Sequence, residues 1–452
     1  MSYRENKVIK HLYKLTPRIL RPGGVWYLKT QSLINKTEFL SKEEIEEWQL
    51  YRLKDIVVFA WNNIPGYREL WQSHGVDPSA LKQLSDIEKF PTVSKEFLRE
   101  NIAVFTKKQL FMQYQTTGGS TGIPFGFYVQ ERNKYIERAF IDDIWKRKHQ
   151  KDKNPLSVIL RGKKTLKPVE FDPIEGILLS SYEIDLKNVK EYIQIIEKYH
   201  PGIFQAYPSA ISQMAKIMSD NNLQINHQFD SIMLGSEPLY EFQKEIIKQV
   251  FDAPISHWYG ATEKVVLAGN CEYDHRFHIF PQYGYTEILK EDNTYAQEGE
   301  TGEIVGTSFW NYTTPLIRYR TMDYAEVGSG HCEKCGRNYQ LLNKIEGRKQ
   351  DIIIDKEGNK ITLTALIFAQ HFHAFGNIRQ LQVVQEEMGK ITLVVIPNNN
   401  FSGKDAEELI AKTTRATNNR LDVTVKQVKE IPLTSQGKLR FLDQHLDMAK
   451  YI

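Results

Sequence analysis

Apolar residues recur at helical spacing through most of the first hundred residues. The segment SKEEIEEWQLYRLKDIVVFAWNNI begins at Ser41 with a capping-box pattern, Ser41-x-x-Glu44, and carries an apolar stripe. Pro65 and Gly66 then interrupt the pattern. The segment ERNKYIERAFIDDIWKRK, which begins at Glu131, again has helical spacing. We therefore expect residues 1–105 to be mostly helical, with another amphipathic helix after residue 130.

The middle of the chain alternates strand-like apolar runs with helical segments. LSVILRG and GILLSSYEI are typical of buried strands, and LKNVKEYIQIIEKYH is typical of a helix. Repeated strand–helix units predict an α/β fold with a largely parallel sheet. In such sheets ligands bind outside the carboxyl ends of the strands, which is where LGSEPL and YGATE should lie. From Cys271 onward strands and turns predict an antiparallel unit.

The pattern changes again after residue 348. KIEGRKQD leads into a hairpin whose turn is Glu357-Gly358-Asn359, followed by a helix at 364–373, two strands and a helix from Lys404 to Asn419. This predicts a large domain of mixed sheets and helices at 1–348 and a small mobile α+β domain at 349–452. The hinge is expected between Gly347 and Asp351, because a polar turn joins the two parts.

Composition excludes several classes of protein. The 452 residues carry a net charge of +3, which is too small to predict nucleic-acid binding. There is no apolar run long enough for a membrane span, and the charged start lacks the apolar core of a signal peptide. Three cysteines cannot form a disulfide framework. We therefore expect a cytoplasmic protein.

A glycine-rich segment, residues 115–124 (QTTGGSTGIP), is the clearest candidate for a binding loop. Three glycines and four hydroxyl side chains suit a phosphate site built from backbone amides and hydroxyls. Ile123 and Pro124 replace the lysine and hydroxyl residue of a Walker loop, and β-rich segments lie on both sides. A serine hydrolase with Ser120 in G-x-S-x-G and a histidine such as His371 is an alternative, although Pro124 argues against the helix that it needs. An ordinary surface turn is the other alternative.

Six polar motifs follow one another along the chain. They are Thr116–Gly122, Gly235–Leu239, Tyr259–Glu263, Arg318–Asp323, Gly347–Asp351 and Thr434–Arg440. This order resembles the adenylate-forming (acyl-CoA synthetase) superfamily, and within it the phenylacetate–coenzyme A ligases and their capsular-polysaccharide relatives. The resemblance extends from about residue 30 to the end.

The resemblance implies an ATP-dependent ligase that activates a carboxylic acid as an acyl-adenylate, releases pyrophosphate and transfers the acyl group to an acceptor. It implies that Glu263 holds Mg²⁺, a hard cation that suits one carboxylate plus phosphate oxygens. It implies that Lys438 bridges the carboxylate and the α-phosphate. The remaining implied roles are phosphate binding by Thr117, Gly118, Gly119, Ser120, Thr121 and Gly122, adenine binding by Gly235, Ser236, Glu237 and Pro238, purine contact by Tyr259 and Gly260, α-phosphate binding by Thr262, and ribose binding by Asp323 with Arg348 nearby.

Two features depart from the family pattern. Ile123 stands where the phosphate loop usually carries lysine, and IIIDKEGNKIT replaces a glycine-rich turn of the coenzyme A-binding ligases. The acceptor is therefore open: coenzyme A, a carrier thiol, a sugar or a sugar amine. A non-catalytic nucleotide-binding paralogue is a further alternative, but it would have little need of Lys438. The sequence does not identify the acid or the oligomeric state.

The three cysteines predict a structural zinc site. Cys332 and Cys335 form a C-x-x-C pair, and Cys271 with His278 would complete four ligands. His275 and His331 are competing ligands. The resemblance to the phenylacetate ligase branch implies a zinc here, and the alternative is three reduced thiols with ordinary histidines. Four protein ligands leave no open position, so we expect no catalytic role for the metal.

Overall fold

The computed structural model describes residues 16–117, 125–148, 156–161, 165, 167–172, 175–348, 352–362, 366, 372–433 and 439–451. The α-helices described are α1 (Gly24–Thr37), α2 (Lys42–Asn63), α3 (Pro65–Ser73), α4 (Lys95–Asn101), α5 (Arg132–Lys148), α6 (Leu186–Tyr199), α7 (Pro208–Asp220), α8 (Glu241–Phe251) and α9 (Gly403–Ala416).

The strands described are β1 (Met112–Thr116), β2 (Gly126–Gln130), β3 (Ser157–Leu160), β4 (Val169–Asp172), β5 (Gly176–Leu179), β6 (Ile203–Ala206), β7 (Ser231–Gly235), β8 (Ile255–Gly260), β9 (Leu267–Gly269), β10 (Phe277–Ile279), β11 (Gly284–Leu289), β12 (Thr301–Ser308), β13 (Tyr319–Val327), β14 (Leu341–Arg348), β15 (Ile352–Ile354), β16 (Lys360–Thr362), β17 (Ile378–Glu387), β18 (Lys390–Pro397), β19 (Asp422–Gln427) and β20 (Leu442–Gln444). This mixed α/β fold confirms the predicted fold class.

The chain forms two compact units, each built from separated segments. Unit one contains Lys151–Ile255 and Glu346–Ile452, whereas unit two contains Leu12–Gln150 and Ser256–Ile345. Both units are therefore discontinuous in sequence. The predicted division into 1–348 and 349–452 stays a prediction.

Unit two combines the N-terminal helices with antiparallel strands. Helix α2 begins as predicted: the Ser41 hydroxyl accepts from the Glu44 amide, and the Glu44 carboxylate accepts from the Ser41 amide. The buried face of α2 includes Leu53, Ile56 and Ala60. Those residues share one core with buried residues of β9, β12 and β13. Strand order in this unit runs β11-β12-β13-β14-β10-β9-β8.

Unit one begins with the predicted parallel arrangement. Strand β3 pairs in parallel with β5 and β6, and β6 pairs in parallel with β7. Helices α6, α7 and α8 bury apolar faces in one core with these strands, including Ile196, Met214 and Ile247. The carboxyl end of β7 therefore carries the segment that begins at Gly235.

The C-terminal part of unit one is a small α+β layer. Strands β17 and β18 are antiparallel, and β19 and β20 extend the sheet in the order β19-β18-β17-β20. Strands β15 and β16 form the predicted hairpin, with Gly358 at φ +83° in its turn. Helix α9 matches the predicted helix from Lys404. The predicted helix at 364–373 lies largely outside the described residues.

Candidate active site

The glycine-rich segment connects two antiparallel strands. Thr116 pairs with Gly126, and the next residue inward, Thr117, exchanges hydrogen bonds with Phe125. The Thr117 amide donates to the Phe125 carbonyl at 2.9 Å, and the Phe125 amide donates to the Thr117 hydroxyl at 3.1 Å. Thr117 is buried and thus closes the base of the loop. The elbow of a serine hydrolase requires a helix after the loop, whereas β2 follows here.

The second candidate group lies where β8 ends. The Tyr259 hydroxyl donates a hydrogen bond to Asp323 Oδ2 at 2.7 Å. Burial raises the pKa of Tyr259 well above its usual value, and the neighbouring Asp323 carboxylate raises it further. The phenol therefore stays protonated and continues to donate to Asp323 across the neutral range. Two residues predicted to contact the nucleoside are thus joined directly.

Glu263 lies in the turn that follows β8. The Lys264 amide donates to the Ala261 carbonyl at 3.0 Å, which closes this turn. The Tyr319 hydroxyl donates to Glu263 Oε1 at 2.9 Å. Burial raises the pKa of Tyr319, with a further contribution from Glu263, so Tyr319 is a permanent hydrogen-bond donor. Thr262, beside Glu263, is exposed.

A bulge in β13 brings Asp323 to this position. Val305 pairs with Arg320 and Glu303 pairs with Tyr324, so three residues of β13 stand opposite one residue of β12. Met322 lies within the bulge at φ +63°, and its amide donates to Glu303 Oε1 at 3.0 Å. The bulge interrupts the regular alternation of the strand. The sequence predicts a regular strand here, and regular alternation along it does not indicate that Asp323 lies beside Tyr259.

In unit one, the segment after β7 is tied to the start of α7. Ser236 has φ +67° and is exposed. Glu237 Oε2 accepts a hydrogen bond at 3.0 Å from the Ser209 amide in the first turn of α7. A carboxylate is favoured there because the amides of a helix N-terminus point toward it. Glu237 is therefore held on the helix, and this contact fixes the course of Gly235–Pro238.

The described residues on both sides of Lys438 make defined contacts. Leu433 and Leu439 form an isolated antiparallel bridge, and Leu439 is buried with Ile431. Three residues beyond Lys438, the Phe441 ring packs edge-on against Tyr240, with centroids 5.1 Å apart. Tyr240 itself lies two residues after Pro238. Both flanks of the Lys438 segment are therefore fixed within unit one.

Several predicted site residues lie outside the described part of the structure. These are Gly118, Gly119, Ser120, Thr121, Gly122 and Lys438. Ile123 and His371 are also outside it. Arg348 is the last residue of β14, and its side chain is not described. Their predicted roles stay predictions.

The cysteines and one histidine form a compact cluster in unit two. The candidate ligand atoms of Cys271, His278, Cys332 and Cys335 all lie within 4.8 Å of one another. His278 Nε2 is 3.4 Å from Cys335 Sγ. Ligand atoms of a tetrahedral zinc site are about 3.5–3.8 Å apart when metal bonds are about 2.0–2.3 Å long. The donor set and its spacing therefore fit one zinc ion.

The surroundings of this cluster hold its members in place. His278 Nδ1 is 3.2 Å from the Arg276 carbonyl, an arrangement that directs Nε2 toward the cysteines. Burial lowers the pKa of His278 to about 4, so its imidazole is neutral as a metal ligand must be. Arg337 donates to Glu272 Oε2 at 2.8 Å and to Glu38 Oε1 at 2.8 Å. This guanidinium ties the C-x-x-C turn to the end of α1.

The competing histidines are not part of the cluster. His331 is exposed, and its Nδ1 lies 2.7 Å from Asn338 Oδ1. His275 is also exposed. The structure therefore groups His278, rather than either alternative, with the three cysteines among the described residues.

Two buried or half-buried side-chain contacts were not predicted from sequence. Tyr319 belongs to the Arg318–Asp323 motif, but the sequence does not indicate its contact with Glu263, because the two residues are far apart in the chain. Arg318 forms a buried two-bond ion pair with Glu287, at 3.0 and 2.8 Å. A buried strand with a glutamate, such as GYTEIL, was the available sign that a basic partner was needed.

Comparison with known proteins identifies relatives along most of the chain. The model of the CapK C-terminal domain family matches residues 353–445. Protein CapK of Staphylococcus aureus is 25% identical over 418 residues, which is 88% of this chain and 89% of that one. The phenylacetate–coenzyme A ligase of Escherichia coli (strain K12) is 24% identical over 339 residues, covering 72% and 76%. Indoleacetate–lysine synthetase of Pseudomonas savastanoi is 28% identical over 267 residues, covering 56% and 62%.

The fold has counterparts among solved structures. A 2-hydroxyisobutyryl-CoA ligase in the postadenylation state, in complex with 2-HIB-AMP, superposes with a TM-score of 0.72. The two sequences are 18% identical, and 91% of each chain is covered. At this identity the likeness concerns the fold. The chain is thus a homologue of CapK and of the phenylacetate–coenzyme A ligases, and it has the fold of the acyl-CoA ligases of the adenylate-forming superfamily.

Proposed function

We propose that this protein is an ATP-dependent ligase that converts a small carboxylic acid into an acyl-adenylate and then passes the acyl group to an acceptor. The observation that carries the proposal is the meeting of Tyr259 with Asp323 and of Glu263 with Tyr319 at the end of β8. Relatives with acid-ligase names support the same reaction. The alternative of a serine hydrolase is not favoured, because a strand rather than a helix follows the glycine-rich loop.

Separate groups of the chain would bind the ribose and the phosphates of ATP. Asp323, oriented by the Tyr259 hydroxyl, would accept hydrogen bonds from the ribose hydroxyls. Glu263, held by Tyr319, would bind Mg²⁺, which usually takes one or two carboxylates together with phosphate oxygens. Thr262 is exposed beside it and would donate to the α-phosphate. The amides and hydroxyls from Thr117 to Gly122 would receive the departing pyrophosphate.

Lys438 would act at the reacting centre. Adenylation brings a carboxylate and the α-phosphate together, so negative charges approach each other as the new bond forms. A lysine between them stabilises the transition state more than the separated reactants. Ile123 contributes no charge to the phosphate loop, so backbone amides, Lys438 and Mg²⁺ would meet the charge of the phosphates.

The adenylation step can be tested by acid-dependent exchange between ATP and labelled pyrophosphate. A panel of aryl, aliphatic and amino acids should contain at least one that supports exchange in the presence of Mg²⁺. Lys438→Ala should lower that exchange at least a hundredfold, about 2.7 kcal/mol at the transition state. Lys429→Ala, an exposed lysine of the same C-terminal region, is the matched control and should retain activity. ATP binding without exchange for any acid would instead support a non-catalytic nucleotide-binding protein.

The acceptor is the second part of the proposal. We favour coenzyme A, because the match to the phenylacetate–coenzyme A ligase of Escherichia coli covers 76% of that protein. An amine is the competing acceptor, because another relative is named a lysine synthetase. Product analysis with coenzyme A, with free amines and with amino sugars separates these outcomes. If no product forms with coenzyme A but one forms with another acceptor, the acceptor assignment is wrong and the proposed adenylation step is unaffected.

We also propose that Cys271, His278, Cys332 and Cys335 hold one structural zinc ion. Their mutual distances and the fixed imidazole of His278 support this assignment. Three thiolates and an imidazole complete a tetrahedron, so the ion would have no position for substrate. Its contribution would be to stabilise the junction of β10, β14 and the C-x-x-C turn.

A further inference from the structure

Two turns of unit two expose large apolar side chains. Leu110 and Phe111, just before β1, are 84% and 82% exposed. Ile19 and Leu20, in the 3₁₀ turn before α1, are 58% and 72% exposed. Single exposed apolar residues are common on protein surfaces, whereas contiguous exposed apolar patches mark interaction sites. We call these residues and their surroundings the apolar tips.

Folding does not account for Phe111. Its backbone has φ +57°, a conformation that is strained for a bulky side chain and that aspartate, asparagine or glycine adopts more easily. The Phe111 ring gains little burial in return, since most of it is exposed. A strained and exposed aromatic residue points to a contact made outside the folded chain.

The two turns are connected through the first turn of α5. The Glu131 amide donates to the Phe111 carbonyl at 3.2 Å. The next residue, Arg132, lies over the Trp26 ring of α1, with its guanidinium carbon 4.7 Å from the ring centroid. Trp26 is itself 36% exposed, and neighbouring Val25 is 45% exposed. The apolar tips therefore form one surface on unit two rather than two unrelated turns.

Basic side chains adjoin the apolar tips. Lys29 and Arg132 both lie over the Trp26 ring, with Lys29 Nζ 5.7 Å from its centroid. Arg18 and Arg21 flank Ile19 and Leu20 in the chain, and exposed Lys108 lies two residues before Leu110. The nearby Glu131 forms an ion pair with Lys134. Apolar side chains surrounded by basic groups complement a surface that presents negative charge above an apolar layer.

We propose that the apolar tips dock this protein on the surface of an anionic lipid bilayer. Phe111, Leu110 and Leu20 would enter the boundary between headgroups and acyl chains, where Trp26 would also be stable. The basic residues around them would lie against lipid phosphates. No described helix is long and apolar enough to cross a bilayer, so the association would be peripheral and reversible. Its consequence would be to hold the acyl-transfer reaction close to a membrane.

Vesicle co-sedimentation of the whole protein tests the proposal. Vesicles of phosphatidylcholine with about 30% phosphatidylglycerol should bind the protein, and vesicles of phosphatidylcholine alone should bind it at least tenfold more weakly. Raising NaCl from about 0.1 to 0.5 M should weaken binding to the anionic vesicles, because salt screens the basic residues. Equal binding to both vesicles, or binding to neither, would overturn the proposal.

Two variants assign the binding to the apolar tips. Leu110→Ser with Phe111→Asn should reduce anionic-vesicle binding at least tenfold, and asparagine tolerates the positive φ of position 111. Lys29→Gln with Lys108→Gln, both exposed, should reduce binding and its salt dependence without removing apolar contacts. Met388→Gln, which removes an apolar side chain 44% exposed in unit one, is the control and should bind normally.

Melting temperatures would establish that each variant is folded. If the Leu110→Ser, Phe111→Asn variant is not folded, the Lys29→Gln, Lys108→Gln variant still tests the proposal. Unchanged vesicle binding in both double variants would place the membrane contact elsewhere and overturn the assignment. Light scattering measures the oligomeric state and tests whether a second copy of the chain covers the apolar tips instead. A wild-type dimer that becomes monomeric in the Leu110→Ser, Phe111→Asn variant, without vesicle binding, would mean that a second copy covers the apolar tips.

Discussion

The Tyr259 hydroxyl lies 2.7 Å from Asp323 Oδ2, and this hydrogen bond joins the end of β8 to the bulge in β13. The contact gives Asp323 a fixed direction before any ligand arrives. Because the pKa of Tyr259 is raised by burial and by Asp323, the phenol does not lose its proton near neutral pH. Tyr259 is therefore a positioning residue for the carboxylate that we assign to the ribose.

Tyr259→Phe should weaken ATP binding while leaving the chemical step nearly intact. A hydrogen bond to a charged group contributes about 1.5–3 kcal/mol, and part of this is recovered when the ribose hydroxyls bind. We expect the KM for ATP to rise about 5- to 20-fold with kcat changed by less than about threefold. Asp323→Asn should raise the KM further. Both values come from exchange rates over a range of ATP concentrations.

A neighbouring tyrosine gives the control for this experiment. Tyr324 follows Asp323 in β13 and is half-buried, and it has no role in the proposed ATP site. Tyr324→Phe should leave the KM for ATP unchanged. An equal rise in the KM for Tyr324→Phe and Tyr259→Phe would show that the effect comes from general loosening of β13 and would remove the assigned role of Tyr259.

The buried pair Arg318–Glu287 predicts a large loss of stability. Glu287 is 1% exposed, and the Arg318 guanidinium also donates to the carbonyls of Glu88 and Phe90. Arg318→Met leaves the carboxylate buried without its cation, which costs about 3–5 kcal/mol. The double variant Arg318→Met, Glu287→Gln should recover part of this loss because the uncompensated charge is gone. Urea unfolding of the single and double variants measures the difference.

An exposed pair in the same unit calibrates that result. Lys42 and Glu46 form an i,i+4 pair on α2 whose side chains are 71% and 51% exposed. Lys42→Met should change the free energy of unfolding by less than about 1 kcal/mol, since water and salt screen such pairs. If Arg318→Met cost no more than Lys42→Met, the buried ion pair would not stabilise unit two.

Metal analysis tests the predicted zinc ligands one by one. The purified protein should contain about one zinc per chain, and Cys332→Ser should lose the metal and lower the Tm by several degrees. His331→Gln should keep both, because His331 is exposed and paired with Asn338. A protein without zinc, or a Cys332→Ser variant that retains it, would contradict the assignment. Pyrophosphate exchange at low temperature should survive metal removal if the ion is only structural.

The sequence predicted those features that depend on local or repeated patterns. The capping box at Ser41 and the hairpin around Gly358 follow from short-range chemistry, and both are confirmed. The strand–loop–strand arrangement around the glycine-rich segment follows from flanking β-rich segments and is also confirmed. The four-residue cysteine and histidine cluster was predicted because a small number of metal ligands leaves few combinations.

Other features depend on contacts between distant residues and were not predictable from spacing. The bulge at Met322 depends on a residue with positive φ and on Glu303 of the neighbouring strand. The Tyr319–Glu263 contact joins two motifs that the sequence shows only as separate segments. The two discontinuous units arise because strands from separated segments pack together, which no linear boundary expresses. Pairing of distant segments is a tertiary property.

Asp86 gives a prediction about pH. Its carboxylate accepts from the Lys82 and Gln83 amides, each at 2.8 Å, and from Lys89 at 2.7 Å. The Lys89 hydrogen bond, followed by the two amides, lowers the pKa of Asp86 from 3.8 to about 2. A lowered pKa means that the folded state prefers the ionised form. The stabilisation is therefore complete above the unfolded pKa of 3.8 and is lost as the pH falls through about 2.

Asp86→Asn removes this stabilisation at neutral pH. The wild-type protein should be more stable than the variant by a constant amount at pH 5.5 and above, and the difference should shrink below about pH 4. Urea midpoints from pH 7 to pH 3 measure it. Glu407→Gln, an exposed carboxylate on α9, controls for the loss of one negative charge. A difference that grows as the pH falls would mean that protonated Asp86 is the stabilising form, because only a raised pKa gives that sign.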